Sequence, residues 1–391
     1  MTPPLSSAES VFSFIDSTAE PVGDGYRWQT YDYADEPHHH YCVFNGVGGI
    51  PIFLCAYFQA TSNPRALELA RGALVWSFAH APERGSHQRG LSFGKLGLAY
   101  PACCYAKVSG SDAFSVETEA LVDHLLVEPP GPITDILSGE ASNGWVLWQL
   151  WCKDPQTKYL EGALRCARWL EEQLVRDERG THCVIDPVNY SVGKVPRLGL
   201  SHGIPGVAHF FACLYRATAD TRWQGLAMEL LDTLTRHARP DRGGINWPRA
   251  MGADELPRCQ YSIGAAGVGL VLVLAAQLLE APVYLATALQ AGEATYRHGD
   301  RRENPTLCTG LAGGGELMIE LYRSTRDERW LTRAREFAAK ALAYRAIIDG
   351  QHFWPTDTAG CFSADFVYGA AGTGYFFLRA AQPLEFEPPL L

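Results

Sequence analysis

A short glycine turn that opens directly into an apolar run occurs seven times along this chain, and little else restricts its fold as strongly. The turns are Asn45-Gly46-Val47-Gly48-Gly49, Phe93-Gly94-Lys95-Leu96-Gly97, Asp135-Ile136-Leu137-Ser138-Gly139, Ser201-His202-Gly203-Ile204-Pro205-Gly206, Gly264-Ala265-Ala266-Gly267, Gly310-Leu311-Ala312-Gly313 and Gly369-Ala370-Ala371-Gly372. The third is irregular, with Ser142 where a second glycine would stand. Each apolar run ends at a polar break such as Thr61-Ser62-Asn63-Pro64 or Ser324-Thr325-Arg326-Asp327, except the seventh, which ends near Ala381. An amphipathic segment follows in the first six units, as in Trp330–Tyr344, where Trp330, Ala334, Phe337 and Ala341 share one helical face.

Seven units of about 45 to 65 residues mark a repeat architecture. The segments after the turns are apolar all round, as helices buried on every side are. The expected fold is all-α: an α/α toroid, a double seven-helix barrel built from helical hairpins. An open array would need polar caps at both ends, whereas Tyr375-Phe376-Phe377-Leu378 is too apolar for an end. The glycines should gather at one end of the inner barrel, where they permit positive φ and close backbone approach, and the residues just before them should line the cavity. Residues 1–40 read as an irregular N-terminal segment and 41–391 as the toroid. His38-His39-His40 reads as a loop, because adjacent side chains on a regular element cannot all face one ion.

The net charge of −10 leaves no excess of cations for nucleic acid. The longest apolar run, Val268–Leu279, fits a buried helix rather than a membrane span. Met1–Ser10 lacks the basic start of a secretory signal. The 11 cysteines form no CxxC pair and lie in apolar segments, which reads as reduced thiols in a cytoplasmic protein.

Ser201-His202-Gly203-Ile204-Pro205-Gly206, Leu307-Cys308-Thr309-Gly310-Leu311-Ala312-Gly313 and Tyr368-Gly369-Ala370-Ala371-Gly372-Thr373-Gly374-Tyr375 resemble the repeat motifs of the lanthionine synthetase C-like family. The resemblance covers roughly residues 40–380. It implies Michael-type addition of a peptide Cys thiol to dehydroalanine or dehydrobutyrine, closing a (methyl)lanthionine thioether ring. It also implies a dehydrated precursor peptide as partner, with a dehydrating kinase and lyase acting earlier. No kinase signature is present, so the chain resembles the stand-alone cyclases.

Family members usually hold zinc with one Cys before the fifth turn and a Cys-His pair before the sixth. Here those positions are Ser262, Cys308 and Thr309. One surviving donor does not make a zinc site, and Cys259 lies one helical turn from where a replacement would be needed. The expected site therefore lacks zinc and any other cofactor, and Ser262, Cys308 and Thr309 become substrate-contacting positions.

Without zinc, His202 is the candidate acid–base group. Asp135 either orients that imidazole or caps the segment after it. Arg258 either stabilises the enolate oxygen or is a surface arginine. With its partners missing, Cys308 reads more readily as an inert buried thiol. Two alternatives stand beside the cyclase: a non-catalytic peptide-binding scaffold of the same fold, and a carbohydrate-active toroid. The second requires paired carboxylates, yet the turns carry few beyond Asp135 and Asp365.

Overall fold

The computed structural model describes residues 3–32, 34–82, 90–183, 195–299 and 304–391. Helix α1 (Pro3–Ser17) opens the chain. A helix then follows each glycine turn: α2 (Ile50–Thr61), α5 (Ala99–Ser109), α7 (Glu140–Lys153), α9 (Ile204–Thr218), α11 (Ala265–Leu278), α13 (Leu311–Thr325) and α15 (Ala370–Ala381). A single turn, α4 (Gly90–Phe93), precedes α5. Each of the seven packs on the next, and α15 packs on α2, so the inner barrel closes.

Six outer helices return along the outside: α3 (Pro64–His80), α6 (Ser115–Val127), α8 (Thr157–Glu172), α10 (Thr221–His237), α12 (Pro282–His298) and α14 (Glu328–Leu342). The reversal has a local cause. Ser62, Ala219 and Arg326 take left-handed φ near +55° to +58° and end inner helices. The next residue, Asn63, Asp220 or Asp327, accepts a backbone N–H and starts the outer helix.

The seventh outer helix comes from the other end of the chain. Residues 1–40 are not irregular, because α1 packs along α15 and lies beside α14. Ala8, Val11, Phe12 and Ile15 form its buried stripe. Two hairpins follow it, β1 (Glu20–Val22) with β2 (Gly25–Arg27) and β3 (Thr30–Tyr31) with β4 (Pro37–His38).

Three more hairpins follow outer helices: β5 (Val175–Asp177) with β6 (Gly180–His182), β7 (Arg239–Asp241) with β8 (Gly244–Asn246), and β9 (Ala346–Ile348) with β10 (Gln351–Phe353). Each lies against the outer helix of the following repeat: β6 on α10, β8 on α12, β10 on α1 and β2 on α3. The hairpins thus interlock the outer ring and confirm α1 as its seventh member. Arg242-Gly243 and Asp349-Gly350 have φ of +48° and +76°, and +51° and +78°. Two consecutive positive values are the tight-hairpin geometry that suits strand twist.

The last residues enter the barrel and leave a cavity of about 450 Å³ lined by Cys55, Tyr100, His209, Cys213 and Tyr375. Arg379, fully buried, is bonded to Glu316 and Glu320, and its Nε donates to Phe386 O at 3.2 Å. Tyr375 donates to Glu387 O and Tyr261 to Pro389 O, at 3.0 and 2.7 Å. Leu390 and Leu391 reach a cavity of about 30 Å³ lined by Leu91, Leu137, Leu200 and Cys308. The lumen directly under the turns is therefore narrow.

Two carboxylates share one buried guanidinium, so burial pushes Glu316 up to about 7 even though Arg379 pulls it back. A carboxyl raised in the folded state loses stability as pH rises from its unfolded value of 4.5 towards 7. Chemical denaturation should show that slope, and Glu316→Gln should flatten it. Arg379→Met should cost about 3–5 kcal/mol, because it leaves buried charge unpaired.

Candidate active site

The residues two places before the first glycine of each turn are Phe44, Ser92, Leu137, Ser201, Ser262, Cys308 and Val367. Their backbones form a collar around the barrel mouth. Phe44 N–H donates to Ser92 O, Ser92 to Leu137, Ser201 to Ser262, Ser262 to Cys308, Cys308 to Val367 and Val367 to Phe44, all at 3.0–3.3 Å. Six of the seven junctions carry this bond. The seventh, between the third and fourth turns, does not: Leu137 N–H goes instead to Asp135 Oδ1 at 3.1 Å.

The side chains of His202 and Asp135 span that gap, with Nδ1 and Oδ2 2.9 Å apart. Asp135 is 1 % exposed, and its Oδ1 also accepts Ser138 N–H at 2.8 Å. The carboxylate is thus anchored by its own turn through one oxygen and presents the other to the imidazole. Asp135 does not cap α7, whose N-cap is Gly139 with no side-chain bond; it bonds within its own turn and contacts the imidazole. A carboxylate only accepts, so Nδ1 carries the shared proton and Nε2 is the basic atom of the ring. His202 is 29 % exposed at the side chain, open on the mouth side.

The glycines were expected to permit positive φ and close backbone approach. Among the first glycines of the turns only Gly264 has positive φ, at +89°; Gly203, for example, is extended at −120°. Space is the general constraint. A Cβ on Gly203 would lie 2.4 Å from Gly199 O, and one on Gly267 only 1.8 Å from Tyr261 O. The irregular third turn has its own reason: Ser142 Oγ receives Leu91 N–H, and Asn143 Oδ1 receives Gly90 N–H at 2.9 Å.

Ser262, Cys308 and Thr309 come together on the fifth and sixth turns, next to the His202 turn, where Ser262 Oγ lies 3.5 Å from Cys308 O. Burial pushes the Cys308 thiol up to about 11, against hydrogen bonds from Ser262 and Tyr368 that favour the thiolate. Thr309 Oγ1 is held by Asn304 Nδ2 at 3.2 Å and Thr306 Oγ1 at 3.4 Å. One thiol and two hydroxyls do not fit a zinc ion, which takes at least three thiolate, imidazole or carboxylate donors.

Arg258 stands exposed on the strap before the fifth turn. Arg197 occupies the equivalent place before the fourth turn, six residues ahead of Gly203, and reasoning from the sequence overlooked it. It is partly buried; its Nε makes no hydrogen bond among the described residues, and burial, then Arg249, lowers its pKa. Counting back from each glycine would have found it. His38, His39 and His40 bind separate backbone groups, at Asn45 O, Trp28 O and Cys42 N.

The sequence model of the family described as "Lanthionine synthetase C-like protein" matches residues 39–391. The chain is a lanthionine synthetase C-like protein. "Glutathione S-transferase LANCL1" of Danio rerio is 25 % identical over 228 residues, which is 57 % of this chain. The match spans about half of that relative, 53 % of its length. Among solved structures, nisin cyclase superposes with a TM-score of 0.67 at 12 % identity, covering 96 % of this chain and 93 % of its own. Cellobiose 2-epimerase from Spirochaeta thermophila gives 0.53 at 14 % identity, covering 97 % and 95 %. At such identities these two establish the toroid and nothing about the reaction. No described helix of this LanC-like chain is long and apolar enough to cross a membrane.

Asp135→Ala should cost about 1–3 kcal/mol, because two backbone N–H groups lose their acceptor. Asp135→Asn should cost less, yet release the His202 ring from its single tautomer, which nitrogen NMR of the labelled imidazole would show.

Proposed function

We propose that this LanC-like protein is a lanthipeptide cyclase that closes thioether rings in a dehydrated precursor peptide without zinc at its reacting centre. The observation that supports this reading best is the His202–Asp135 pair at the one open junction of the collar. It supplies an acid–base group at the barrel mouth, while the family's metal positions hold Ser262, Cys308 and Thr309.

His202 Nε2 takes the proton of the incoming Cys thiol. The thiolate adds to the β-carbon of the dehydroamino acid, so an S–C bond forms as the Cα=Cβ π bond breaks. The electron pair moves onto the acceptor amide as an enolate, and the imidazolium returns the proton to Cα. Nothing is consumed or released. Asp135 stabilises the imidazolium in between. Arg258 and Arg197, each on the strap ahead of its turn, are the cations available to the enolate oxygen. The acceptor is already electrophilic, so proximity and one acid–base group supply much of the rate. Ser262 and Thr309 contact the peptide, and the buried Cys308 thiol takes no part in the reaction. The eleven unpaired cysteines suit a cytoplasmic enzyme, and a kinase and a lyase would supply the dehydrated peptide.

The missing metal donors also suit the scaffold reading, in which the protein only binds peptide, and one assay separates the two. Thiol loss from a dehydrated, Cys-containing precursor should be faster with the protein than without it. His202→Ala should slow it by about 10²–10⁴-fold, while Cys308→Ala should leave it within about twofold. Background-rate thiol loss with the wild type would leave the scaffold. Loss of activity in Cys308→Ala would restore a metal or nucleophile at that position.

A further inference from the structure

We infer that Asp241, Cys259 and His298 form a divalent-metal site, with zinc the best match, separate from the family's metal positions. The inference holds whichever reaction the mouth performs. The three residues come from three elements: the end of β7, the strap before the fifth turn and the last turn of α12. A carboxylate oxygen, a thiol sulfur and an imidazole nitrogen lie within 4.8 Å of one another. Cys259 is fully buried, and the Asp241 and His298 side chains are 16 % and 10 % exposed.

The donor set is what zinc takes, one soft sulfur with imidazole and carboxylate. Thiolate and carboxylate together balance a +2 ion. Binding would release the Cys259 proton, leave the His298 ring proton on Nδ1, and turn the present Asp241–His298 contact, 2.8 Å between Oδ2 and Nε2, into shared ligation. Arg242 lies 3.9 Å from the other oxygen, Oδ1, which leaves Oδ2 to the site. A fourth position falls to water at the partly exposed edge.

The surroundings are built around this cluster. Asn246 Nδ2 donates to Asp241 Oδ2 at 3.0 Å and to Pro257 O at 2.8 Å. Its Oδ1 accepts Trp247 N–H and Ala265 N–H, at 2.9 and 2.8 Å. One amide thus orients a ligand, as outer partners of metal sites do, and fixes both the strap and the first residue of α11. The metal would pin a hairpin, an outer helix and the strap that carries Arg258 and Ser262.

The test is zinc content and cobalt spectroscopy on the full-length protein, with folding checked by circular dichroism. Wild type exposed to zinc and then dialysed should hold close to one equivalent. Cobalt-loaded protein should show a thiolate charge-transfer band. Cys259→Ser and His298→Ala should remove the band and weaken zinc binding by about 100-fold or more, while Cys308→Ala keeps both. Asp241→Asn, which retains the hydrogen bonds, provides a folded ligand variant if His298→Ala does not fold. No zinc in the wild type, zinc that survives Cys259→Ser, or zinc lost in Cys308→Ala would each overturn the assignment.

Discussion

The backbone collar is the constraint on which the rest depends. Its bonds can form only if seven turns approach closely enough to exchange N–H and C=O groups, and that excludes side chains at the glycines. A methyl on Gly267 would meet Tyr261 O at 1.8 Å, and one on Gly372 would meet Phe366 O at 1.9 Å. The residue before the glycine of the fourth turn is His202, whose side chain is 29 % exposed. Asp365 sits in the seventh turn at the place that matches Asp135 in the third, where its Oδ1 accepts Val367 and Tyr368 N–H, and Val367 N–H still reaches Phe44 O. At the third and fourth turns the backbone bond is given up, and Asp135 with His202 takes its place.

The tail narrows the space directly beneath the collar. Leu390 and Leu391 lie beneath the collar, held through the tail contacts of Tyr261, Tyr375 and Arg379. Arg379 itself depends on Glu316 and Glu320 from α13. In the proposed reaction the peptide would reach His202 from the mouth rather than past the tail. Buried apolar groups below the pair also keep water away from one side of it, which strengthens its charge–charge coupling.

Periodicity made the inner barrel legible, because a helix that is apolar all round and follows a glycine turn has few other places to go. It made six outer helices legible through their amphipathic faces. The seventh was hidden by sequence distance: α1 belongs with α15, and no local pattern links residue 11 to residue 374, although a Cβ on Gly374 would meet Val11 Cγ1 at 2.8 Å. The hairpins were missed although Asp349-Gly350 carries a turn signal, since three-residue strands show no readable alternation. His202 and Asp135 were legible through the family resemblance, but their contact crosses 67 positions and needed coordinates. Asp241, Cys259 and His298 share no motif spacing, so Cys259 looked like a misplaced substitute for Ser262.

Proton transfer by His202, in place of metal activation of the thiol, is the central claim. The pH dependence of single-turnover ring closure, compared between wild type and His202→Asn, tests it most directly. The account predicts one controlling ionisation in the wild type that vanishes in the variant. What remains should be a slow rate rising about tenfold per pH unit as the peptide thiol itself ionises. A variant that keeps the wild-type profile would contradict it.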